Sequence, residues 1–180
     1  YFDIGMDAIN KPEKVTIERI FKRRTIIVWH ILLNILGLVL AAYIALSFLQ
    51  LRWITIQLLC IIALVVYSTT FKRKLVIGNV LIASLSALAM LTLVWYEPNF
   101  PLLTTQLELV HYFWFYTGFA FFITLLREIV KDMEDIKGDG LQNCKTIPLV
   151  WGIQMAKKIL YAVVLFLECL LVYMLRSAPH

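Results

Sequence analysis

Cysteine, histidine and charged residues are scarce in this 180-residue chain. The three cysteines and three histidines lie far apart without metal-ligand spacing, which argues against a zinc or thiolate centre and predicts free thiols. Charged residues make up only 16% of the sequence, whereas 61% of it is hydrophobic and the mean hydropathy is +0.81. These proportions exclude an ordinary soluble domain and indicate an integral membrane protein.

Long apolar runs fill most of the sequence. Each is near or above the ~20 residues that a helix needs to cross a bilayer, and none shows the alternating pattern of a membrane β-barrel. The predicted spans are residues 26–49, 53–71, 76–96, 107–126 and 147–175. Because backbone polar groups in lipid must be satisfied internally, we predict an all-α fold, a polytopic transmembrane helix bundle. Trp53, Trp95, Tyr96 and Trp151 near the span ends suit anchoring at the membrane interface.

Basic residues lie almost entirely on one side of the predicted spans. Fifteen of the 17 lysines and arginines fall there, and only Arg52 and Arg176 fall on the other side. The positive-inside rule therefore predicts that the basic side is cytoplasmic. These loops also account for the net charge of +5, so no nucleic-acid partner is predicted.

Aspartate is confined to two short segments, with Asp3 and Asp7 near the start and Asp132, Asp135 and Asp139 far downstream. Carboxylates are costly to keep in an apolar chain, so they are the first candidates for a functional site. Four predicted spans separate the two segments, and an even number of crossings returns the chain to the same membrane face. The basic loop at residues 72–74 is predicted on this face too, so acidic and basic groups from three loops converge there.

The aspartates within each segment are spaced three or four residues apart. In a helix, this spacing places the side chains on one face. Carboxylates that share a face repel one another unless a cation lies between them, and Mg²⁺ usually takes one or two carboxylates with phosphate oxygens and water. The segments therefore predict Mg²⁺ ligands for a bound diphosphate. The alternative is a solvated helix end whose acids balance neighbouring lysines.

Three sequence motifs carry a family resemblance. Asp132-Met-Glu-Asp135-Ile-Lys-Gly-Asp139, followed by Lys145-Thr146-Ile-Pro148, resembles the second aspartate-rich motif of the UbiA-type intramembrane prenyltransferases. Residues 1–12 resemble the remainder of the first motif of that family, Asn-Asp-x-x-Asp-x-x-x-Asp. Tyr67-Ser68, Phe71-Lys72-Arg73 and Gly78-Asn79 resemble its basic loop. The resemblance implies one UbiA-like domain over residues 1–180, incomplete at both ends, with about five of the roughly nine helices of the family.

The resemblance implies transfer of an isoprenoid chain from a polyprenyl diphosphate to an aromatic or alcohol acceptor, with Mg²⁺ as the cofactor. The implied metal ligands are Asp3 and Asp7 from one side and Asp135 and Asp139 from the other, with Asp132 as a helper. The implied diphosphate-binding residues are Lys72, Arg73 and Lys145. Asp135, Asp139 and Lys145 would carry the catalysis, because metal ligands and a nearby cation stabilise charge on the departing diphosphate.

The sequence around the second aspartate motif also bears on the acceptor. The run from Arg127 to Asp139 most resembles the geranylgeranylglycerol-phosphate geranylgeranyltransferase branch, which favours prenylglycerol phosphate as the acceptor, with an aromatic quinone precursor next. Arg127 and Lys131 would suit such a phosphate-bearing acceptor, although a positive-inside flank explains them equally well.

A transporter coupled to a divalent cation or to protons is the alternative function. It would place ionisable residues near the bilayer midplane at interrupted helices, whereas these acids are predicted at one interface. The predicted partners are thus a polyprenyl diphosphate, a lipid or aromatic acceptor and membrane lipid. No oligomeric state is predicted.

Overall fold

The computed structural model describes residues 9–10, 21–72, 74–97 and 107–177, and these are predominantly helical. The long helices are α1 (Arg23–Ser47), α2 (Arg52–Val66), α3 (Ile77–Trp95), α4 (Leu107–Glu134) and α7 (Ile153–Ser177). A π-helical turn, Tyr67–Phe71, extends α2, and two short helices, α5 (Ile136–Leu141) and α6 (Ile147–Trp151), lie between α4 and α7. The predicted all-α fold is confirmed.

Five helices in the described part of the chain are long and apolar enough to cross a membrane. In α1, α2 with its π-helical turn, and α7, only 6% of the most apolar stretch is buried within the protein. Large apolar side chains therefore cover the outside of the bundle, an arrangement that is stable in lipid and unfavourable in water. The predicted integral, multi-pass membrane protein is confirmed.

The helix α4 is central to the packing. It makes its most extensive contacts with α3 and also packs against α7, while α1 packs against α2. A buried apolar cluster of Ile129, Ile147 and Ala156 joins α4, α6 and α7. This cluster supports the end of α4, where the polar residues of the second aspartate segment lie.

The last predicted span, residues 147–175, is divided in the structure. Gly152 lies between α6 and α7 with a φ of +84°, a left-handed conformation that glycine adopts without the steric cost of a Cβ. The membrane-spanning part accordingly starts at Ile153 rather than at residue 147. Apolar composition alone could not reveal this break, because residues 147–151 are as apolar as the helix that follows.

The end of the bundle opposite the acidic residues is held by aromatic side chains. Trp53 is only 2% exposed, and its indole N–H donates to the carbonyl oxygen of Trp95 at 2.7 Å. The Tyr96 hydroxyl donates a hydrogen bond to the carbonyl oxygen of Trp53 at 3.0 Å. Trp53 thus joins the start of α2 to the end of α3 inside the protein.

Candidate active site

A polar cavity lies where α2 ends, α3 begins and α4 ends. Its acidic side chains are Glu128, Asp132, Asp135 and Asp139. Its amide and basic side chains are Asn10, Lys72, Asn79 and Lys131. Tyr67, Cys144 and Thr146 complete the lining. Residues from the start, the middle and the last third of the chain therefore meet around one space.

The last turns of α4 supply much of this lining. Lys131 and Asp132 follow Glu128 by three and four residues, so the helix presents both beside Glu128, and Asp135 directly follows the end of α4. Asn79, near the start of α3, donates from Nδ2 to Asp132 Oδ2 at 2.8 Å. This bond fixes the Asp132 carboxylate relative to α3 and links two of the helices that surround the cavity.

The short helix α5 carries the rest of the aspartate segment. Asp135 directly precedes α5, and the backbone N–H of Asp139 donates to the Asp135 carbonyl oxygen at 3.0 Å. Asp139 is only 8% exposed. The carbonyl oxygen of Asp139 also accepts from the backbone N–H of Cys144 at 3.0 Å, so the segment leading to α6 stays against the cavity.

Asn10, three residues after Asp7 in the sequence, contacts the second aspartate segment. Its Nδ2 donates to the Asp135 carbonyl oxygen at 3.2 Å, and its Oδ1 accepts from the Gly138 backbone N–H at 2.7 Å. A Cβ on Gly138 would lie 2.5 Å from Asn10 Nδ2, so only glycine leaves room for this side chain. Residues separated by about 125 positions are thereby brought into contact at one face of the bundle, as the even number of crossings predicts.

The π-helical turn at the end of α2 brings Tyr67 and Lys72 to the cavity. The Lys72 backbone N–H donates to the Tyr67 carbonyl oxygen at 2.9 Å. Gly78 lies against this turn, and a Cβ at Gly78 would be 2.8 Å from the Phe71 carbonyl oxygen. Lys72, which directly follows this turn, lines the same cavity as the acids of the second aspartate segment.

The structure brings together five of the predicted site residues, which are Lys72, Lys131, Asp132, Asp135 and Asp139. Lys145 is exposed and lies outside this lining. Arg127 is also largely exposed, and its guanidinium pairs with Glu128 Oε1 at 2.9 Å. Asp3, Asp7 and Arg73 lie outside the described residues.

Six lining residues were not predicted as site residues: Asn10, Tyr67, Asn79, Glu128, Cys144 and Thr146. Helical spacing could have indicated two of them, because Asn10 follows Asp7 by three residues and Glu128 precedes Asp132 by four. Thr146 lies within the quoted Lys145-Thr146-Ile-Pro148 motif, but its place in the lining, like that of Cys144, depends on the fold of the segment between α5 and α6.

The donor chemistry of the cavity fits a hard divalent cation. Carboxylate and amide oxygens are the ligands that Mg²⁺ prefers, and Mg²⁺ needs only one or two protein carboxylates when phosphate and water complete its coordination. In the described ranges, no group of three or more His, Cys, Asp or Glu side chains is arranged to hold a metal ion by itself. Phosphate oxygens and water would complete the coordination of a cation bound to these carboxylates.

Comparison with known sequences decides the family. The profile described as the UbiA prenyltransferase family matches residues 1–179, nearly the whole chain. The chain belongs to this family. The UbiA resemblance of the aspartate and basic motifs is thus confirmed, and the UbiA family is a polytopic helical membrane fold, in agreement with the structure.

Curated UbiA-family relatives share about 30% of their residues with this chain. A protein of Methanosphaera stadtmanae named digeranylgeranylglyceryl phosphate synthase is 30% identical over 172 residues, covering 95% of this chain and 57% of that protein. A protein of the same name from Thermococcus gammatolerans is 31% identical, over 84% of this chain and 50% of that protein. Another from Sulfurisphaera tokodaii is 32% identical, over 85% of this chain and 51% of that protein. The chain spans about half the length of the curated relatives it matches. No solved structure matches it significantly.

Proposed function

We propose that this UbiA-family protein catalyses the Mg²⁺-dependent transfer of a polyprenyl group from a prenyl diphosphate to a membrane-associated acceptor. The observation that carries this proposal is the single cavity that joins three aspartates of the second motif to Asn10 and to two lysines from different elements. Carboxylates suit a divalent cation, and lysines suit the phosphates that such a cation accompanies.

Each group of residues has a distinct role in this proposal. Asp132, Asp135 and Asp139 would hold Mg²⁺ from the α4 and α5 side, and Asp3 and Asp7 would hold it from the other. When bound, Mg²⁺ neutralises negative charge on the diphosphate and so favours its departure. Lys72 faces these acids from the π-helical turn and would bind the diphosphate directly. Arg73 would add positive charge near the same group, whereas Lys145, which is exposed outside the lining, would act from the rim.

A prenylglycerol phosphate is the acceptor that we favour. The relatives with the name digeranylgeranylglyceryl phosphate synthase support this choice. Lys131 lines the cavity and could contact an acceptor phosphate. Arg127 would act at the rim, since it is exposed and bonded to Glu128. A phosphate-bearing lipid would reach the cavity with its chain still in the bilayer.

The location of the cavity favours transfer over transport. Its acids lie in the last turns of α4 and in α5, where the membrane-spanning stretch ends, whereas a transporter would place them near the midplane. Following the basic residues, we propose that the cavity faces the cytoplasm and that residues 1–180 contribute to one UbiA-like domain.

The test is a transfer assay on the full-length protein in lipid nanodiscs. Labelled geranylgeranyl diphosphate is supplied with a prenylglycerol phosphate or with hydroxybenzoate, with and without Mg²⁺. We expect Mg²⁺-dependent product with the first acceptor and a loss of at least about 100-fold in turnover for Asp135→Ala and Asp139→Ala. Glu134→Ala is the matched control, because Glu134 is an exposed acid of the same segment outside the cavity.

Two outcomes contradict the proposed mechanism. One is turnover that persists after Mg²⁺ is removed with a chelator. The other is unchanged turnover in both aspartate variants. Transfer to hydroxybenzoate alone would keep the reaction class but overturn the acceptor.

A further inference from the structure

Thr146 places a buried hydroxyl in the wall of the cavity. The residue is only 6% exposed and lines the cavity with Asp139 and Lys72. Its Oγ1 atom has no hydrogen-bond partner among the described residues. Because a buried hydroxyl without a bond is unfavourable, such a group needs an explanation.

The local structure does not use this hydroxyl. Thr146 directly precedes α6, a position where a threonine side chain normally accepts from the backbone N–H of the second or third helical residue. Here the second helical residue is Pro148, which has no N–H, and no bond from the side chain caps the helix. The hydroxyl thus stays available to a ligand in the cavity.

The backbone conformation also explains why the side chain of Thr146 lines the cavity and that of Lys145 does not. Thr146 has an extended backbone, with φ −107° and ψ 160°. Successive side chains of an extended segment point to opposite sides. Accordingly, Cys144 and Thr146 line the cavity, whereas Lys145 between them is exposed.

The charge of the cavity indicates what the hydroxyl would bind. Lys72 and Lys131 attract an anion to the space that Thr146 faces. A hydroxyl is a good donor to an anionic oxygen, and such charge-assisted bonds are stronger than neutral ones. The carboxylates of the cavity provide acceptors for a cation, so a phosphate group accompanied by a cation would satisfy both sets.

We propose that Thr146 Oγ1 donates a hydrogen bond to a phosphate oxygen of a bound substrate, an inference that rests on the proposed prenyl transfer. The phosphate belongs either to the prenyl diphosphate or to the phosphate-bearing acceptor. Thr146 is then a substrate-binding residue whose hydroxyl is satisfied only in the complex.

The test compares Thr146→Val with Thr117→Val in the full-length protein. Valine has nearly the shape of threonine and lacks the hydroxyl. Thr117 is the matched control because it is also 6% exposed, but its hydroxyl donates to the Phe113 carbonyl oxygen at 2.9 Å within α4. Binding is measured in nanodiscs with Mg²⁺, separately for a non-reactive thio-linked geranylgeranyl diphosphate and for a prenylglycerol phosphate. Thermal unfolding is followed with and without each ligand.

The expected result has two parts. Without ligand, Thr146→Val unfolds at the same temperature as the wild type or higher, because an unsatisfied hydroxyl is removed. With ligand, it binds one of the two probes about 10- to 100-fold more weakly and loses the corresponding rise in unfolding temperature. The affected probe identifies the source of the phosphate. Thr146→Ser keeps the hydroxyl and should bind both probes like the wild type. Thr117→Val should also bind them like the wild type, because its hydroxyl lies outside the cavity.

The proposal is overturned if Thr146→Val binds both probes as tightly as the wild type. It is equally overturned if Thr146→Ser loses as much affinity as Thr146→Val, since packing of the methyl group would then explain the loss. A wild-type protein that binds neither probe overturns the proposed function itself. Thr146→Ala provides a second variant without the hydroxyl, and wild-type affinity in that variant also overturns the proposal.

Discussion

Gly138→Ala should separate Asn10 from the second aspartate segment. The added methyl carbon would lie 2.5 Å from Asn10 Nδ2 and 2.8 Å from both Cγ and Oδ1 of that side chain. The Asn10 side chain must then move away. Its bonds to the Asp135 carbonyl oxygen at 3.2 Å and to the Gly138 N–H at 2.7 Å would both break.

The size of the effect follows from these two bonds. A typical intramolecular hydrogen bond contributes about 0.5–1.5 kcal/mol to stability, so losing two costs about 1–3 kcal/mol. Replacing glycine by alanine in a helix offsets this by about 0.5–1 kcal/mol through the smaller backbone entropy of alanine. Gly140→Ala in the same helix is the matched control, because a Cβ there meets only Leu149 Cδ2 at an ordinary 3.7 Å. The difference between the two variants measures the contact with Asn10.

The assay is unfolding of the full-length protein in detergent micelles, combined with the transfer assay. We expect Gly138→Ala to be about 1–3 kcal/mol less stable than Gly140→Ala and to show reduced turnover, because Asn10 no longer bonds to the second aspartate segment. In a double-mutant cycle, Asn10→Ala with Gly138→Ala should be no less stable than the worse single variant, since both remove the same bonds. Equal stability of the two glycine variants, or fully additive losses in the cycle, would refute this reasoning.

Three further substitutions test other contacts of the bundle. Trp53→Phe keeps a buried ring but removes the indole N–H that donates to the end of α3. The free energy of unfolding in detergent should fall by about 1 kcal/mol while turnover is retained. A wild-type unfolding curve would contradict this role. Asn79→Ala removes the 2.8 Å hydrogen bond to Asp132, so the Mg²⁺ concentration for half-maximal turnover should rise. An unchanged Mg²⁺ titration would show that this bond does not support metal binding. Gly78→Ala places a methyl carbon 2.8 Å from the backbone oxygen of Phe71. Both the unfolding temperature and the affinity for a prenyl diphosphate analogue should therefore fall. Wild-type values would contradict this expectation, because the π-helical turn would then accommodate the methyl group.

The membrane helices could be predicted closely from sequence. An apolar run of about 20 residues has few alternatives to a helix in lipid, and the five predicted spans correspond to five helices of the structure. The breaks between helices were harder to predict from sequence. Gly152 divides the last predicted span by a backbone angle, and hydropathy does not register backbone angles.

Part of the site could also be predicted, because it depends on spacing and on crossing parity. Asp132, Asp135 and Lys72 meet as expected, since helical periodicity and an even number of spans place them at one end of the bundle. Thr146 belongs to a motif visible in sequence, but its orientation into the cavity depends on an extended segment between two short helices. The same segment leaves Lys145, the more conspicuous residue in sequence, exposed.

The sequence by itself determined the membrane environment, the helical fold and the end of the bundle at which the acids lie. These properties follow from the cost of burying polar backbone and charge in lipid, which acts on each segment independently. Only the tertiary structure decided which polar side chains share the cavity, because contacts such as Asn10 with Gly138 and Asn79 with Asp132 depend on how separate elements pack. The contact of Asn10 also requires the close approach that Gly138 allows, and composition and periodicity do not encode such an approach.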